Sequence, residues 1–303
     1  MVGAFRAAVA AVRAVTSVVV LLVLIGSMVA LRVGSAHDPY LAAGLINPAI
    51  AALTPAQLKS SAADQLEAAT AKGGSGYAFE IVQTSTITAR PGGPLIDIPD
   101  PSNGRLIIGK SDKYPYYTLM EHGVVTPAGF WSELRNWPMG AGEPTWEKAD
   151  LRRSALVRDG KSWRNDRQGW YEADVVPGIG LDPATAALLP RLLRQSDQPT
   201  KLADGDLDGA TVLRVAATGT VADMPGVIAA DGAKYTRLSG PIEFSFDGIG
   251  RLVEIHVVAL NLNLTDDYDL VVDTVITIHY DGVSSLPAPD STFDASAKAE
   301  VEQ

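Results

Sequence analysis

Between Pro241 and Leu264 apolar residues fall on every second position, and this alternation constrains the fold more than any other feature of the chain. Ile242, Phe244 and Phe246 alternate with Glu243, Ser245 and Asp247, a period of two that sets the apolar groups on one side of a pleated strand. Gly248, Ile249 and Gly250 supply the turn, where glycine tolerates positive φ. The return strand carries Val253, Ile255 and Val257 on its apolar side. The phase then slips, and Val258, Leu260, Leu262 and Leu264 become the apolar set. Such a slip predicts a bulge, the device that curves a sheet.

The same pattern recurs at 77–89, "YAFEIVQTSTITA", and in "GRLIIG", "YYTLM", "FWSELRNW", "RRSALVR", "GATVLRVAA" and "DTVITIHYDG". Clusters of Gly, Pro, Asn and Asp separate these runs, the spacing of an antiparallel meander. Asp159-Gly160 is a strong hairpin signal, with a further break at 166–169. Two helices interrupt the strands. In "TPAQLKSSAADQLEAATAKGG" Thr54 is an N-cap, Pro55 takes the first helical position, Gln57 completes a capping box and Gly73 lies past the end. Ala56, Leu58, Ala62, Ala63, Leu66 and Ala69 form its apolar stripe. "GLDPATAALLPRLLRQ" is the second helix, capped by Asp182 with Pro183 next, rich in leucine, and kinked or broken at Pro190.

The N-terminus sets the expected compartment. Residues 14–31 are uncharged and lie between Arg13 and Arg32; as a helix they reach about 27 Å, close to a bilayer's hydrocarbon thickness. Arg6 and Arg13 precede the run and acids dominate after it, so the positive-inside rule puts the body across the membrane. Two readings stay open: a retained single-pass anchor, or a signal peptide cleaved after Ala36 behind the small residues of "VGSA". The length of the run favours the anchor.

The net charge is -10, and because the first 36 residues carry three arginines and no acid, the remainder carries -13. An acidic body repels phosphate backbones, which argues against a nucleic-acid partner. Cysteine is absent, so the chain has no disulfide, thiolate metal site, thiol nucleophile or lipobox. No G-x-S-x-G elbow, H-E-x-x-H or P-loop occurs. "DGDLDG" at 204–209 matches half a calcium loop, but Val215 stands where the bidentate glutamate belongs, and a polar turn is the better account. "TDDYD" at 265–269 reads as a solvated hairpin tip. His256 and His279 sit on the polar side of strands and read as an exposed face. Neither an enzyme nor a cofactor or metal site is expected. All five tryptophans fall between 130 and 171, where aromatic groups can fill a core or line an apolar pocket.

The leading helix, the antiparallel strands, "VRDGKSWRNDRQGWYEADV" before a Leu-rich helix, "LADGDLDGATVLRVAATG", "PIEFSFDGIGRLVEIHV" and a last strand before "LPAPDSTF" resemble the LolA-like periplasmic lipoprotein-carrier superfamily. The nearest likeness is to LppX/LprG-type envelope lipid-binding proteins, over roughly residues 50–292. The resemblance implies an α+β fold: a strongly curved antiparallel sheet, a half-open barrel, with helices over a concave face that accepts acyl chains. Lacking a lipobox cysteine, this chain would be held by Val15 to Leu31.

The expected organisation is a cytoplasmic stub and transmembrane or signal segment (1–36), a linker (37–53), the β-rich domain (54–292) and a tail (293–303). The expected function is extracytoplasmic binding or transport of a lipid or lipoprotein acyl chain. The alternative is an envelope sensory or scaffolding module of the same fold, like the periplasmic part of sigma-factor regulators. Expected partners are a lipid or acylated protein, the cytoplasmic membrane through residues 14–31, and an envelope protein. Ligand-lining residues are expected at Phe79, Ile81, Trp131, Trp163, Trp170, Leu188, Leu192, Phe244, Phe246, Ile255 and Val257.

Overall fold

A computed structural model describes residues 39–99, 106–137, 145–165, 169–172, 188–220, 239–281 and 286. The apolar run 14–31, the start of the Leu-rich helix with Asp182 and Pro183, and the tail 293–303 lie outside the described residues. No helix among the described residues is long and apolar enough to cross a membrane.

The strands are β1 (Tyr77–Ala89), β2 (Ile96–Pro99), β3 (Ile107–Ser111), β4 (Lys113–Thr126), β5 (Gly129–Trp137), β6 (Asp150–Arg158), β7 (Lys161–Asn165), β8 (Trp170–Glu172), β9 (Asp197–Lys201), β10 (Gly205–Leu207), β11 (Ala210–Thr220), β12 (Ser239–Phe246), β13 (Leu252–Asn263) and β14 (Tyr268–His279). One large antiparallel sheet runs β10-β11-β12-β13-β14-β1-β4-β5-β6-β7-β8, with β9 also on β11. Its end strands do not pair with each other, so the sheet is open; β2 and β3 form a separate ribbon.

Turn chemistry follows the sequence closely. Asp159 and Gly160 both take positive φ (53° and 75°), and so do Asp208 and Gly209 (53° and 83°), the backbone that suits the right-handed twist of two joined strands. The half calcium loop is therefore a hairpin turn, in which Asp206 Oδ1 accepts the Gly209 N–H at 3.0 Å. In β13 the register against β14 shifts between Val257 and Leu260, one extra residue where the alternation slips. A second irregularity, between Ser245 and Phe246, sets Leu252 rather than Val253 opposite Phe246. Leu252 is buried and Val253 only half-buried, which corrects the apolar set read from sequence.

Helices α1 (Pro39–Ala42), α2 (Pro48–Ala51), α3 (Pro55–Thr70) and α4 (Leu188–Gln195) complete the described elements, apart from one 3-10 turn. In α3 the Thr54 capping box is formed and Leu58, Ala62, Ala63, Leu66 and Ala69 are buried. Ala56, counted in the stripe, is exposed. Pro190 lies within the described part of α4, so the helix is not broken there. Residues 39–53 join the fold through α1 and α2: the Asn47 N–H donates to Gly248 O at 2.9 Å, and Ile50 enters the core.

The core lies on one face of the sheet. Tyr77, Phe79 and Ile81 of β1, Phe244 and Phe246 of β12, Ile255 and Val257 of β13 and Ile276 and Ile278 of β14 form one cluster with the buried sides of α3 and α4. Arg194 of α4 ion-pairs with Asp64 and Glu67 of α3, and Lys59 of α3 donates from its buried ammonium to Ser196 O at 2.5 Å.

Candidate functional site

Register assigns each expected site residue to a face, because residues directly opposite across a ladder point the same way. Phe244, Ile255, Ile276, Ile81, Glu121 and Leu134 are successive partners from β12 to β5 and share the helix-bearing face. Phe79, Phe246 and Val257 lie on that face too, and with Leu192 of α4 they belong to the same core. Leu188 is the first described residue of α4. The structure thus brings together Phe79, Ile81, Leu192, Phe244, Phe246, Ile255 and Val257, each no more than 1% exposed.

The three tryptophans go elsewhere. Trp131 lies opposite Val124 of β4 and Leu156 of β6, and Leu156 lies opposite Trp163 of β7. Trp170 lies opposite Asn165, which follows Ser154 and Glu133 in the adjacent row. Trp131, Trp163 and Trp170 therefore share the face away from α3 and α4, where all three are half-buried.

On that far face a charged aromatic cluster forms around His122. Its ring stacks on Trp146 at 3.8 Å between centroids and lies 5.3 Å from Trp131. The Arg135 guanidinium sits 4.5 Å over Trp146 and donates to Glu133 at 2.6 and 2.9 Å. His122, 3.7 Å away, and Arg135 together hold the Glu133 carboxyl below its ordinary range; at these distances Arg135 is the firmer partner. Because these groups occupy one another, the cluster fastens the turn at Trp146–Lys148 to the sheet.

Farther along the helix-bearing face the wall becomes polar. Gln83 lies opposite Thr274, Ser85 opposite Val272, and Glu121 opposite Ile81. All four polar side chains are buried, Gln83, Ser85 and Thr274 fully and Glu121 to 3% exposure. Sequence reasoning passed over Gln83, Ser85 and Thr274 because serine, threonine and glutamine on a strand normally mark its wet side. Their phase, in step with Tyr77, Phe79 and Ile81, is the signal that finds them.

Among the described residues no group of His, Asp and Glu could hold a metal ion. His256 bonds Asp273 at 2.9 Å, and His279 lies opposite Ala78, so the two histidines are not cross-strand neighbours. Arg90 clasps the 265–269 hairpin tip through Asp269, Asn263 and the Asp266 carbonyl. A crevice lined by Leu53, Pro55, Leu58, Lys201, Leu213, Arg214 and Val215 encloses about 10 Å³, too little for an alkyl chain.

No family model matches the chain, and no curated protein matches it. Similar solved structures include LprF from Mycobacterium bovis, 14% identical, covering 76% of this chain and 97% of that one, with a TM-score of 0.38. Mycobacterium tuberculosis lipoprotein LppX is 10% identical, covers 76% and 98%, and also has a TM-score of 0.38. A LolA superfamily protein from Nitrosomonas europaea is 12% identical, covers 81% and 100%, and has a TM-score of 0.20. The likeness to LolA and LppX drawn from the turn motifs thus recurs among solved structures, and at these scores it says nothing of what this chain binds.

Proposed function

We propose that the chain is a membrane-tethered, extracytoplasmic domain that binds a lipid or the acyl chain of a lipoprotein against the helix-bearing face of its open sheet. The observation that carries this reading is the face itself, which presents buried apolar side chains on each strand from β11 to β1, interrupted by the polar patch of Gln83, Ser85 and Thr274. Each methylene moved from water onto such a wall contributes about 0.8 kcal/mol, so ten give roughly 8 kcal/mol before ordering costs. Lipid extraction at that scale needs no covalent step. The arginine-flanked run 14–31 supports the tether, with residues 54–292 as the binding domain.

A second reading, a sensory or scaffolding module without cargo, is favoured by one observation. Phe244, Phe246, Ile255 and Val257 are fully buried in one cluster with Leu58 and Leu66 of α3 and Leu189, Leu192 and Leu193 of α4, as in a filled core. Lipid mass spectrometry of the full chain, purified in a mild detergent, separates the two. A stoichiometric co-purifying lipid supports binding; a protein free of lipid, whose melting temperature no added lipid raises, supports scaffolding.

A further inference from the structure

We propose that Ser85 and Thr274 hold the uncharged polar group of the bound amphiphile, an ester or hydroxyl at the head of the acyl chain, as in an acylglycerol. The inference deepens the lipid-binding reading and rests on it. Ser85 Oγ and Thr274 Oγ1 are buried on the helix-bearing face and have no hydrogen-bond partner. They stand diagonally across the β1–β14 ladder, since Gln83 lies opposite Thr274 and Ser85 opposite Val272.

Of their ladder neighbours on that face, Ile81, Val257, Val272 and Ile276 are apolar, while Gln83 opposite Thr274 and Tyr117 opposite Ser85 bond neither hydroxyl. A buried hydroxyl left without a partner costs about 1–3 kcal/mol, so two at one place on an apolar wall point to a group supplied from outside the chain. Each hydroxyl has one donor and two acceptor sites, which suits an ester or another hydroxyl. The charge of the surroundings narrows the class. Their ladder neighbours on that face, Gln83, Tyr117, Val257 and Val272, include no cation, and a charged head would be buried beside them without a counter-ion, so the ligand's polar group carries no charge.

The test uses the full chain held in amphipol, loaded with the apolar fluorophore N-phenyl-1-naphthylamine and titrated with monopalmitoylglycerol or with palmitate. The native protein is expected to release the probe to monopalmitoylglycerol at a lower concentration than to palmitate. In a Ser85→Ala/Thr274→Val variant, monopalmitoylglycerol should bind about tenfold more weakly. Probe and palmitate binding should be unchanged, and the melting temperature should rise as two unsatisfied groups are removed. Unchanged monopalmitoylglycerol affinity in the variant overturns the proposal, as does equal affinity of the native protein for palmitate; either result leaves lipid binding itself standing. A native protein that takes up neither probe nor lipid overturns both readings together. Ser85→Ala alone, expected to weaken monopalmitoylglycerol about threefold, keeps the test decisive if the double variant does not fold.

Discussion

Arg251 Nε donates to Asp247 Oδ2 at 2.7 Å across the β12–β13 turn, with the two side chains 10% and 9% exposed. The other carboxylate oxygen accepts the N–H groups of Ile249 and Arg251 at 3.1 and 2.9 Å. The guanidinium lies 4.6 Å over the Tyr280 ring, whose hydroxyl donates to Leu252 O at 3.0 Å. One carboxylate therefore fixes both the turn and the buried cation beside it. Asp247→Ala should cost about 3–5 kcal/mol, because it strands a buried guanidinium and two backbone donors. Arg251→Met should cost less, since Asp247 keeps its two N–H partners. Urea denaturation of both variants checks the order, and equal losses would reject it.

Gly248 is where the N-terminal helices meet this turn. A Cβ added there would stand 2.1 Å from Leu45 O, a separation that backbone atoms cannot accommodate without moving. Gly248→Ala should release residues 39–53 from the sheet and break the Asn47 N–H to Gly248 O bond. Limited proteolysis reads this directly: the variant should be cut between Pro39 and Leu53 faster than the native protein, while cleavage within β12 and β13 stays slow.

The bulge in β13 is an equally local device with a larger reach. Ile255 and Val257 face the core before it and Leu262 faces the core after it, which an unbroken alternation would forbid. Deleting Val258 removes the extra residue, so that one unbroken alternation carries Ile255, Val257 and Leu262 on the core face while Leu260 stays opposite Val272. The ladder is thereby made regular and no buried group is lost, so the variant should keep its fold at a cost of about 1 kcal/mol. The expected result is a nearly unchanged denaturation midpoint with slowly exchanging amides retained in β13 and β14; a midpoint lowered as far as by loss of a core side chain would show that the local bend itself holds the sheet.

That bulge was legible in the sequence, as were the Thr54 capping box and the Asp-Gly turns, because each depends on residues within one turn or one strand. The face assignments were not. In β5, Phe130 and Leu134 alternate with Trp131, so bulky apolar groups lie on both sides, and a period of two cannot say which side meets the helices. Only the pairings of Trp131 with Val124 and Leu156 settle the tryptophans. Ser85 and Thr274 were hidden for the converse reason, being polar residues at apolar positions. Lys59 was hidden too: a lysine beside the stripe of α3 reads as solvated until α4 is seen to cover it.

Lys59 offers a test by pH. Its ammonium is buried between α3 and α4 with Ser196 O as its acceptor; burial lowers its pKa below the ordinary 10.5, and the charge of Asp197 opposes the shift only in part. Since the folded pKa is the lower one, the unfolded chain binds more protons between the folded value and 10.5. Stability attributable to this group therefore rises with pH through that window and is lowest below it, where the folded protein holds a desolvated charge. Lys59→Met removes the titrating group and fills the same space. Denaturation midpoints measured from neutral to alkaline pH should climb more steeply for the native protein than for the variant. Parallel curves would mean that the ammonium is already compensated by its carbonyl and by Asp197, and that the leucines and the Arg194 ion pairs join the two helices without a penalty from Lys59.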